Sequence, residues 1–517
     1  MPPSSARSVP EPLYSAEAVR RIDRHIIDQR GGDGFGLMQS AAHAAFRRMV
    51  KRWPSVSPVL VLCGAGNNGG DGYLLASQAQ RHGLEVRCLA VAPVERLTGD
   101  ARSAWQQAEA DGVPVQAVEA LDDAGLASLL DGASLIVDAM LGTGVSGPPR
   151  SPFAEVIARA NACPAPILAV DVPSGLDAST GAAAGEVVRA ALTVTFIGRK
   201  AGLYTGVGPA VCGDIAFDDL GADADALAAG GVPVARLRRW NDVRALLPRR
   251  PANAHKGQFG RLLIVAGDRG FGGAGLMAAE AAGRSGAGLV TLATRPEHVG
   301  AALARCPSVM VRGVIHGSEI EDLLSGADTV VCGPGMGTGA WGQQMLQQVL
   351  GSEVPRVLDA DALNLLASRV AVASERQVLT PHPGEAARLL GCQVADIERD
   401  RIGAAQRLQR TYGGVVLLKG AGTVIAAGTE TVDIVGGGNP GMATGGMGDV
   451  LAGVIGALCG QLSGLAPAVV AAACAHLAAA DRASGHVGYM GLLPTDVIGH
   501  LPLVFRDAEQ AAAADKV

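Results

Sequence analysis

The stretch VLVLCGAGNNGGDG, from Val59 to Gly72, decides the class of fold. Its five apolar residues predict a buried strand, its glycines predict a tight turn, and the apolar pattern that starts at Tyr73 predicts a helix. Strand, glycine turn and helix are the units from which parallel sheets covered by helices are built. The N–H groups of such a turn, together with the helix dipole, form an anion-binding nest. Five glycines, two asparagines and one aspartate within nine residues therefore favour a ligand site over a purely structural turn.

The same alternation of short β-branched runs and longer helical patterns continues along the chain. In the N-terminal part the predicted strands are Val59–Cys63, Leu135–Asp138, Ile167–Asp171 and Leu192–Ile197. In the C-terminal part they are Leu262–Ala266, Leu289–Ala293, Thr329–Cys332, Arg356–Leu358, Val378–Thr380 and Val415–Lys419. Between the two sets, Gly221–Val234 has no strand pattern. The sequence therefore predicts an α/β protein with two domains, residues 1–222 and 236–517, each with its own site beyond the carboxyl ends of its strands.

Composition excludes several classes of protein. The 517 residues are 48% hydrophobic, and the net charge of −6 with scattered basic residues argues against binding to nucleic acid or to an anionic membrane. The nine cysteines form no Cys-x-x-Cys pair, which fits a reducing cytosol better than a disulfide framework. The apolar stretch Leu465–Ala480 contains Pro467 and His476, so we predict a buried helix there and no membrane span. These features predict a cytoplasmic enzyme whose partners are small molecules.

Two further predicted strands of the N-terminal domain end in carboxylates. Asp138 precedes a glycine-rich loop that could wrap a phosphate, and Asp171 begins the segment Asp171-Val172-Pro173-Ser174-Gly175. Together with Asp71, these carboxylates should meet in one crevice, which a helix-capping role does not predict. Oxygens from asparagine, aspartate and serine side chains could also hold a cation there.

From about Tyr14 to Leu220, these motifs resemble the NAD(P)H-hydrate epimerase family. The resemblance implies a Rossmann-like three-layer αβα fold. It implies that the hydrated dinucleotide is bound by Asn67, Asn68, Gly69, Gly70, Asp71, Gly142, Thr143, Gly144, Val145, Ser146, Gly147 and Pro148. It also implies a potassium ion held by Asn68, Asp138 and Ser174, and a contact between Asp171 and the substrate near the reacting C6. Because a strand-end carboxylate can shuttle protons, Asp171 is the predicted catalytic residue.

The C-terminal domain contains a longer glycine run, GGGNPGMATGGMGD, from Gly436 to Asp449, followed directly by a helix pattern. Glycines without Cβ atoms leave N–H groups accessible to phosphate oxygens, and the helix dipole stabilises the charge on a transferred phosphoryl group. Asp449, in the first helical turn, is placed to accept a proton from an attacking hydroxyl. A helix-capping role would explain Asp449 but would leave the glycine run unexplained. The stretch therefore predicts phosphoryl transfer.

Other predicted strand ends supply further polar groups to this domain. The segment Lys419-Gly420-Ala421-Gly422-Thr423 could line nucleotide phosphates, and His382 follows the strand Val378–Thr380. Gly335 and Ala274 lie in two more glycine-rich loops. For Lys256, a phosphate contact and a solvated side chain are both open.

From about Trp240 to His500, this set resembles the ADP/ATP-dependent NAD(P)H-hydrate dehydratase family, a branch of the ribokinase-like three-layer αβα fold. The resemblance implies that the hydrate is contacted by Ala274, Gly335, His382 and Asp449. It implies that the adenine nucleotide is contacted by Lys419, Gly420, Ala421, Gly422, Thr423 and Gly448, with Mg²⁺ accompanying the nucleotide. The family phosphorylates the C6 hydroxyl and then eliminates phosphate, which leaves far more readily than hydroxide.

The favoured interpretation is a bifunctional repair enzyme that epimerises R and S forms of NAD(P)H hydrate and dehydrates the S form with ADP or ATP. One alternative is a ribokinase-like vitamin or sugar kinase with an accessory Rossmann-like domain. A second is a non-catalytic binding role for the N-terminal domain. The sequence leaves open the choice between ADP and ATP, the choice between NADH and NADPH hydrates, the placement of the two domains, and whether the chain forms a homo-oligomer.

Overall fold

The computed structural model describes residues 10–144 and 147–514. The chain forms two compact units. The first comprises Pro12–Ala235, and the second comprises the chain from Arg236 onward together with Glu11.

The secondary structure of the first half alternates between strands and helices. The strands up to Asp218 are β1 (Glu11–Leu13), β2 (Val59–Cys63), β3 (Val86–Ala90), β4 (Val115–Ala117), β5 (Leu135–Ala139), β6 (Ile167–Val170), β7 (Leu192–Phe196) and β8 (Asp214–Asp218). The helices up to Ala229 are α1 (Ala16–Gln29), α2 (Gly34–Arg52), α3 (Asn67–Arg81), α4 (Gly99–Ala110), α5 (Asp123–Asp131), α6 (Phe153–Ala162), α7 (Gly208–Val211) and α8 (Ala224–Ala229).

The second half continues this alternation. Its strands are β9 (Ala235–Arg238), β10 (Arg261–Val265), β11 (Leu289–Thr294), β12 (Met310–Gly313), β13 (Thr329–Cys332), β14 (Arg356–Leu358), β15 (Gln377–Leu379), β16 (Val415–Leu418), β17 (Thr423–Ala426) and β18 (Val432–Val435). Its helices are α9 (Trp240–Val243), α10 (Gly272–Arg284), α11 (Val299–Arg305), α12 (Glu321–Ser325), α13 (Ala340–Gly351), α14 (Asp361–Leu366), α15 (Pro383–Leu390), α16 (Val394–Arg399), α17 (Arg401–Tyr412), α18 (Met447–Cys459), α19 (Leu465–Val487) and α20 (Pro494–Ala514).

The sheet of the first unit has the order β4-β3-β2-β5-β6-β7-β8, and all neighbouring strands are parallel. This is the strand order of a Rossmann-like sheet with one added strand, so the predicted fold of this unit is confirmed. Within this sheet the chain begins at β2, runs through β3 to the edge strand β4, and then crosses back to β5 on the other side of β2. The loops that follow β2 and β5 therefore flank the crevice in which open α/β sheets bind ligands.

The strands of this sheet are buried on both faces. Val59 and Val61 pack with α2, α3 and α4, whereas Leu60 and Leu62 pack with α5 and α6 on the other side. Side chains alternate across a strand, so a continuous apolar run such as β2 feeds two cores. The unit is therefore a three-layer αβα structure, as predicted.

The sheet of the second unit repeats this order over seven parallel strands, β12-β11-β10-β13-β14-β15-β16. It then continues through the antiparallel strands β17 and β18 to β9. Leu262 and Val331 pack with α10 and α18 on one face, and Leu263 and Val330 are equally buried on the other. The predicted three-layer architecture is therefore confirmed for this unit as well.

Strands that the sequence analysis missed lie mainly at sheet edges. β4, β8 and β12 are outermost in the parallel parts of their sheets, and many of their residues are partly or fully exposed. Such strands lack the continuous apolar run by which buried parallel strands are recognised. β3 lies inside its sheet, but the exposed Arg87 interrupts its apolar pattern. β17 overlaps the segment that was interpreted only as a nucleotide loop.

The apolar helix α19 spans 23 residues and is long and apolar enough to cross a membrane by these criteria alone. In the structure it packs within the core of the second unit, alongside α18 and α20. His476 on this helix is buried, and burial lowers its pKa to about 4. The predicted buried helix is therefore confirmed.

We expect Gly453→Ala to lower the free energy of unfolding by about 1–3 kcal/mol, as overpacking does in a well-packed core. A Cβ on Gly453 of α18 would lie 2.1 Å from the carbonyl oxygen of Ala278 on α10, so the two helices would have to separate. Gly283→Ala, on the exposed side of α10 with no atom within 4 Å of its Cβ position, is the matched control. The control should be neutral or stabilising by up to about 1 kcal/mol. Denaturant midpoints followed by circular dichroism measure both, and equal midpoints for the two variants would contradict this packing.

Candidate active sites

The glycine turn after β2 lies at the crevice of the first unit, where α3 begins at Asn67. A Cβ on Gly64 would lie 1.9 Å from the carbonyl oxygen of Met140, and one on Gly69 would lie 2.0 Å from the carbonyl oxygen of Gly64. A Cβ on Gly66, in contrast, would meet no atom within 4 Å. Packing therefore accounts for Gly64 and Gly69, whereas Gly66 keeps the N–H groups at the start of α3 accessible to a ligand.

The loop that follows β5 borders the same crevice. A Cβ on Gly142 would lie 3.1 Å from the Cβ of Asn68, so the two predicted loops are close to each other. The Arg20 guanidinium of α1 donates a hydrogen bond of 2.9 Å to the carbonyl oxygen of Thr143. Gly144, Gly147 and Pro148 are exposed. Val145 and Ser146, which the sequence analysis also assigned to this loop, lie outside the described residues.

The three residues assigned to a potassium ion are brought together. Ser174 Oγ donates to Asp138 Oδ1 over 2.6 Å, and Ser174 N donates to Asp138 Oδ2 over 2.8 Å. Asn68 Nδ2 donates to the carbonyl oxygen of Leu141 over 3.2 Å, and the N–H of Leu141 donates to Ser174 Oγ over 2.8 Å. Burial raises the pKa of Asp138 to about 6, although the bonds from Ser174 oppose this shift. Asn68 Oδ1 is buried without a hydrogen-bond partner among the described residues, so a cation here would satisfy an otherwise unpaired oxygen.

Asp171 follows β6 in a left-handed backbone conformation with φ of 66°, which is unusual for a residue with a side chain. Its Oδ1 accepts hydrogen bonds from Thr195 Oγ1 at 3.2 Å, from the Phe196 N–H at 3.3 Å and from the ammonium group of Lys200. Strained backbone at a site residue is characteristic of functional positions, where surrounding contacts hold the strain. The contacts therefore fix the orientation of the predicted catalytic carboxylate.

Two more carboxylates lie near the pair of Asp171 and Lys200. Burial and the nearby charges of Asp171 and Asp23 raise the pKa of Asp71 well above its ordinary value. Burial also raises the pKa of Asp23, on α1, to about 6, against the lowering effect of Lys200. The first site thus holds three carboxylates around one buried ammonium group, and two of these carboxyls retain protons more readily than carboxyls in water do.

Sequence reasoning missed Lys200 and Asp23. Lys200 had a usable signal, because lysines are rare in this chain and this one follows a buried strand. Asp23 had none, since it is one polar residue on an amphipathic helix and its approach to Asp171 depends on the tertiary fold.

In the second unit, α18 begins at Met447 with the predicted glycine loop at its N-terminus. A Cβ on Gly445 would meet no atom within 4 Å, and a Cβ on Gly448 would lie 3.4 Å from Lys419 Nζ. Gly446 has φ of 98° and allows the turn into the helix. Gly445 thus faces open space at a helix N-terminus, and Gly448 lies beside the cation of Lys419, an arrangement that suits a phosphate.

Lys419 and Asp449 lie in one charged cluster. Lys419 Nζ donates to Asp359 Oδ1 over 2.8 Å and lies 3.8 Å from Glu385 Oε2. Burial would lower the pKa of Lys419, but Asp359 and Glu385 outweigh it and raise the pKa. Burial and the charge of Asp359 raise the pKa of Asp449 to about 7. A carboxyl group of this kind can exchange protons near neutral pH, as a general base must.

His382 also has a structural role. Its Nδ1 accepts the N–H of Gly384 over 3.0 Å, and Glu385 Oε2 accepts the N–H of His382 over 2.8 Å, which caps α15. Burial and the charge of Lys419 lower the pKa of His382, which favours the neutral ring. The ring is half exposed, so capping does not prevent contact with a ligand.

The remaining predicted residues lie at neighbouring strand ends. Gly420 to Thr423 form the connection from β16 to β17, where Thr423 Oγ1 donates to the carbonyl oxygen of Gly420 over 2.9 Å. The buried Arg401, which the sequence analysis missed, donates to the carbonyl oxygen of Lys419 over 2.8 Å. A Cβ on Gly335 would lie 3.0 Å from the Cβ of Ala274, so these two residues share one surface at the strand-order reversal between β10 and β13.

The comparisons with known proteins give a family match for each half of the chain. Residues 34–202 match the family described as YjeF-related protein N-terminus, and residues 262–503 match the family described as NAD(P)H-hydrate dehydratase. The bifunctional NAD(P)H-hydrate repair enzyme of Coxiella burnetii is 44% identical over 95% of this chain and 98% of its own length. The enzyme of the same name from Escherichia coli is 45% identical over 96% of this chain and 94% of its own length. A solved ADP/ATP-dependent NAD(P)H-hydrate dehydratase from Bacillus subtilis is 29% identical over 52% of this chain and 97% of that chain, with a TM-score of 0.48.

The two full-length relatives extend over both halves of the chain, and they do not favour a vitamin or sugar kinase with an accessory domain. Identity above 40% over nearly the whole length establishes the family. The chain belongs to the family of bifunctional NAD(P)H-hydrate repair enzymes.

Proposed function

We propose that this chain interconverts the R and S hydrates of NADH and NADPH and dehydrates the S form with ADP or ATP, releasing AMP or ADP and phosphate. The observation that carries the proposal is Asp449 beside Lys419 at the open N-terminus of α18. We assign epimerisation to residues 1–222 and dehydration to residues 236–517. The matched families lie within these ranges.

Dehydration at the second site would proceed in two steps. Asp449 accepts the proton of the C6 hydroxyl while the oxygen attacks the terminal phosphorus of the nucleotide, and the bond from that phosphorus to the bridging oxygen breaks so that AMP or ADP leaves. N–H groups at the start of α18 and the ammonium of Lys419 stabilise the charge on the transferred group. The C6–O bond then breaks with phosphate as the leaving group, a proton leaves C5, and the nicotinamide double bond re-forms.

We assign the ligands of this site by the geometry around Asp449. The adenine nucleotide would be held by Lys419, Gly420, Ala421, Gly422, Thr423 and Gly448. The hydrate would be held by Ala274, Gly335, His382 and Asp449. Either ADP or ATP would serve as the co-substrate. The described residues contain no group of three or more His, Cys, Asp or Glu residues that could hold a metal ion. Magnesium would therefore arrive with the nucleotide and be held largely by phosphate oxygens and water, as is usual for this ion.

Epimerisation at the first site needs proton transfer to and from the C6 hydroxyl and the ring. Asp171 is fixed through Oδ1, so its other oxygen can exchange these protons with the substrate. Residues Asn67 to Asp71 and Gly142 to Pro148 would hold the dinucleotide. Asn68, Asp138 and Ser174 would hold potassium, whose charge would compensate the buried Asp138 carboxylate. The unpaired Asn68 Oδ1 supports this assignment.

We further propose a cytoplasmic location and small molecules as the partners. The sites described above contain carboxylates, glycine loops and lysines that suit dinucleotides and nucleotides, and the net charge of −6 does not favour polyanions.

The proposed function is tested by incubating the full chain with mixed hydrates and ADP or ATP, following the near-ultraviolet absorbance of reduced nicotinamide. We expect complete conversion to NAD(P)H with release of free phosphate. Asp171→Asn should confine rapid conversion to the S form, and Asp449→Asn should stop dehydration while leaving R and S interconversion intact. A stable phosphorylated product would instead identify a kinase.

We expect the kcat/KM for dehydration to fall about tenfold for each pH unit below about 7, because Asp449 must be ionised to accept a proton and its pKa is raised to about 7. Above this pH the carboxylate is ionised and the rate should be constant. The pH profile of kcat/KM, measured on pure S hydrate, checks this expectation. Asp449→Asn should reduce the rate by about 10²–10⁴-fold. A wild-type profile that is level down to pH 5 would exclude Asp449 as the base.

We expect potassium to raise the melting temperature of the first unit in the full chain, because a ligand that binds only the folded state stabilises it. Tetramethylammonium chloride at equal ionic strength is the control. Asn68→Ala removes the unpaired oxygen and should abolish most of the difference between the two salts. If the wild type melts at the same temperature in both salts, the site does not hold potassium.

A further inference from the structure

Lys200, four residues after the end of β7, has an almost completely buried ammonium group. Its side chain is 1% exposed, and Nζ donates to the Phe196 carbonyl oxygen at 2.9 Å, to Thr195 Oγ1 at 3.1 Å and to Asp171 Oδ1. An ammonium group has three hydrogens to donate, and each has an acceptor here. These bonds use all three hydrogens of the ammonium group, and Asp171 is the only carboxylate that hydrogen-bonds to it among the described residues.

These contacts control which oxygen of Asp171 is available. All hydrogen bonds that Asp171 accepts through its side chain from described residues use Oδ1. Oδ2 is left for a substrate. The left-handed backbone of Asp171 turns the carboxylate toward these donors, and without them the strain would favour a different conformation.

Other charged groups surround the pair of Lys200 and Asp171. Asp71 from α3 and Asp23 from α1 face Asp171 and Lys200, and Arg20 of α1 also acts on Asp23. The pair therefore lies beside two carboxyls whose pKa values are raised, mainly by burial.

The choice of lysine is itself informative. Of the 43 basic residues of the chain, 38 are arginines and five are lysines, and the only lysines before residue 236 are Lys51 and Lys200. A lysine ammonium is a compact point charge, whereas an arginine guanidinium is a wide planar fork. Three acceptors arranged around one atom suit the ammonium.

We propose that Lys200 is a positioning residue of the epimerase site, which fixes Asp171 by Oδ1 and keeps its Oδ2 directed at the substrate. It acts through Asp171 and does not contact the reacting atoms. This inference rests on the proposed epimerisation, in which Asp171 exchanges the protons.

The test measures R and S interconversion by the full chain, with Lys200→Met as the main variant. We expect kcat to fall on the order of 100-fold at neutral pH, as for a displaced catalytic group, with KM changed by less than about threefold. Lys200→Arg retains the charge, although its planar fork cannot place three donors around one atom, and it should recover part of the lost kcat. A purely structural role would not separate kcat from KM in this way.

Two controls separate catalysis from folding. Lys51→Met makes the same change at the exposed lysine of α2 and should retain the wild-type rate. Dehydration of pure S hydrate by each variant reports that the second unit is intact. The double variant Asp171→Asn with Lys200→Met has no buried charge at this pair, and it should be no slower than Asp171→Asn alone, within about threefold, if Lys200 acts through Asp171.

The outcomes are distinct. A Lys200→Met chain with wild-type kcat overturns this inference alone, and so does a double variant in which the two losses multiply. A wild-type chain that does not accelerate interconversion overturns the proposed epimerase function and this inference with it. Loss of kcat at nearly unchanged KM, partial recovery in Lys200→Arg and a non-additive double variant establish the positioning role.

Discussion

In each half of the chain, a lysine ammonium lies beside an aspartate at the carboxyl edge of a parallel sheet, largely removed from water. An ion that leaves water loses its hydration, so it is stable only where opposite charges and hydrogen bonds replace that water. Lys200 meets this condition with Asp171, and Lys419 meets it with Asp359. Removing either partner would leave an unpaired buried charge. Within each unit, the ion pair therefore fixes the two loops that carry its residues relative to one another.

Both clusters contain more carboxylates than cations. Burial, together with the neighbouring carboxylates, raises the pKa of Asp449 to about 7 and the pKa of Asp71 well above its ordinary value. A site with one paired carboxylate and another that retains its proton can both accept and donate protons near neutral pH. In the proposed function, the same electrostatic arrangement would serve proton exchange in one unit and hydroxyl activation in the other.

The glycines of the two site loops divide into two groups. Gly64 and Gly69 are required because carbonyl oxygens approach the positions that a Cβ would occupy. Gly66 and Gly445 face open space, so the absence of a side chain there leaves room for a ligand. Sequence alone gives each of these residues the same letter in the same run. Only the neighbours in space distinguish a packing glycine from a ligand-facing one.

The sequence by itself determined the α/β class, the central strands, the two sets of strand-end motifs and the loops that begin α3 and α18. These features are local: a buried parallel strand is a continuous apolar run, and a helix start after a glycine turn has a short signature. The edge strands β4, β8 and β12 escaped detection because exposure removes that run. Only the tertiary structure decided that Asp23 and Lys200, far apart in the chain, both face Asp171. The physical reason is that side chains from distant segments meet only when the strand order of the sheet is set, and strand order is not encoded within any one segment.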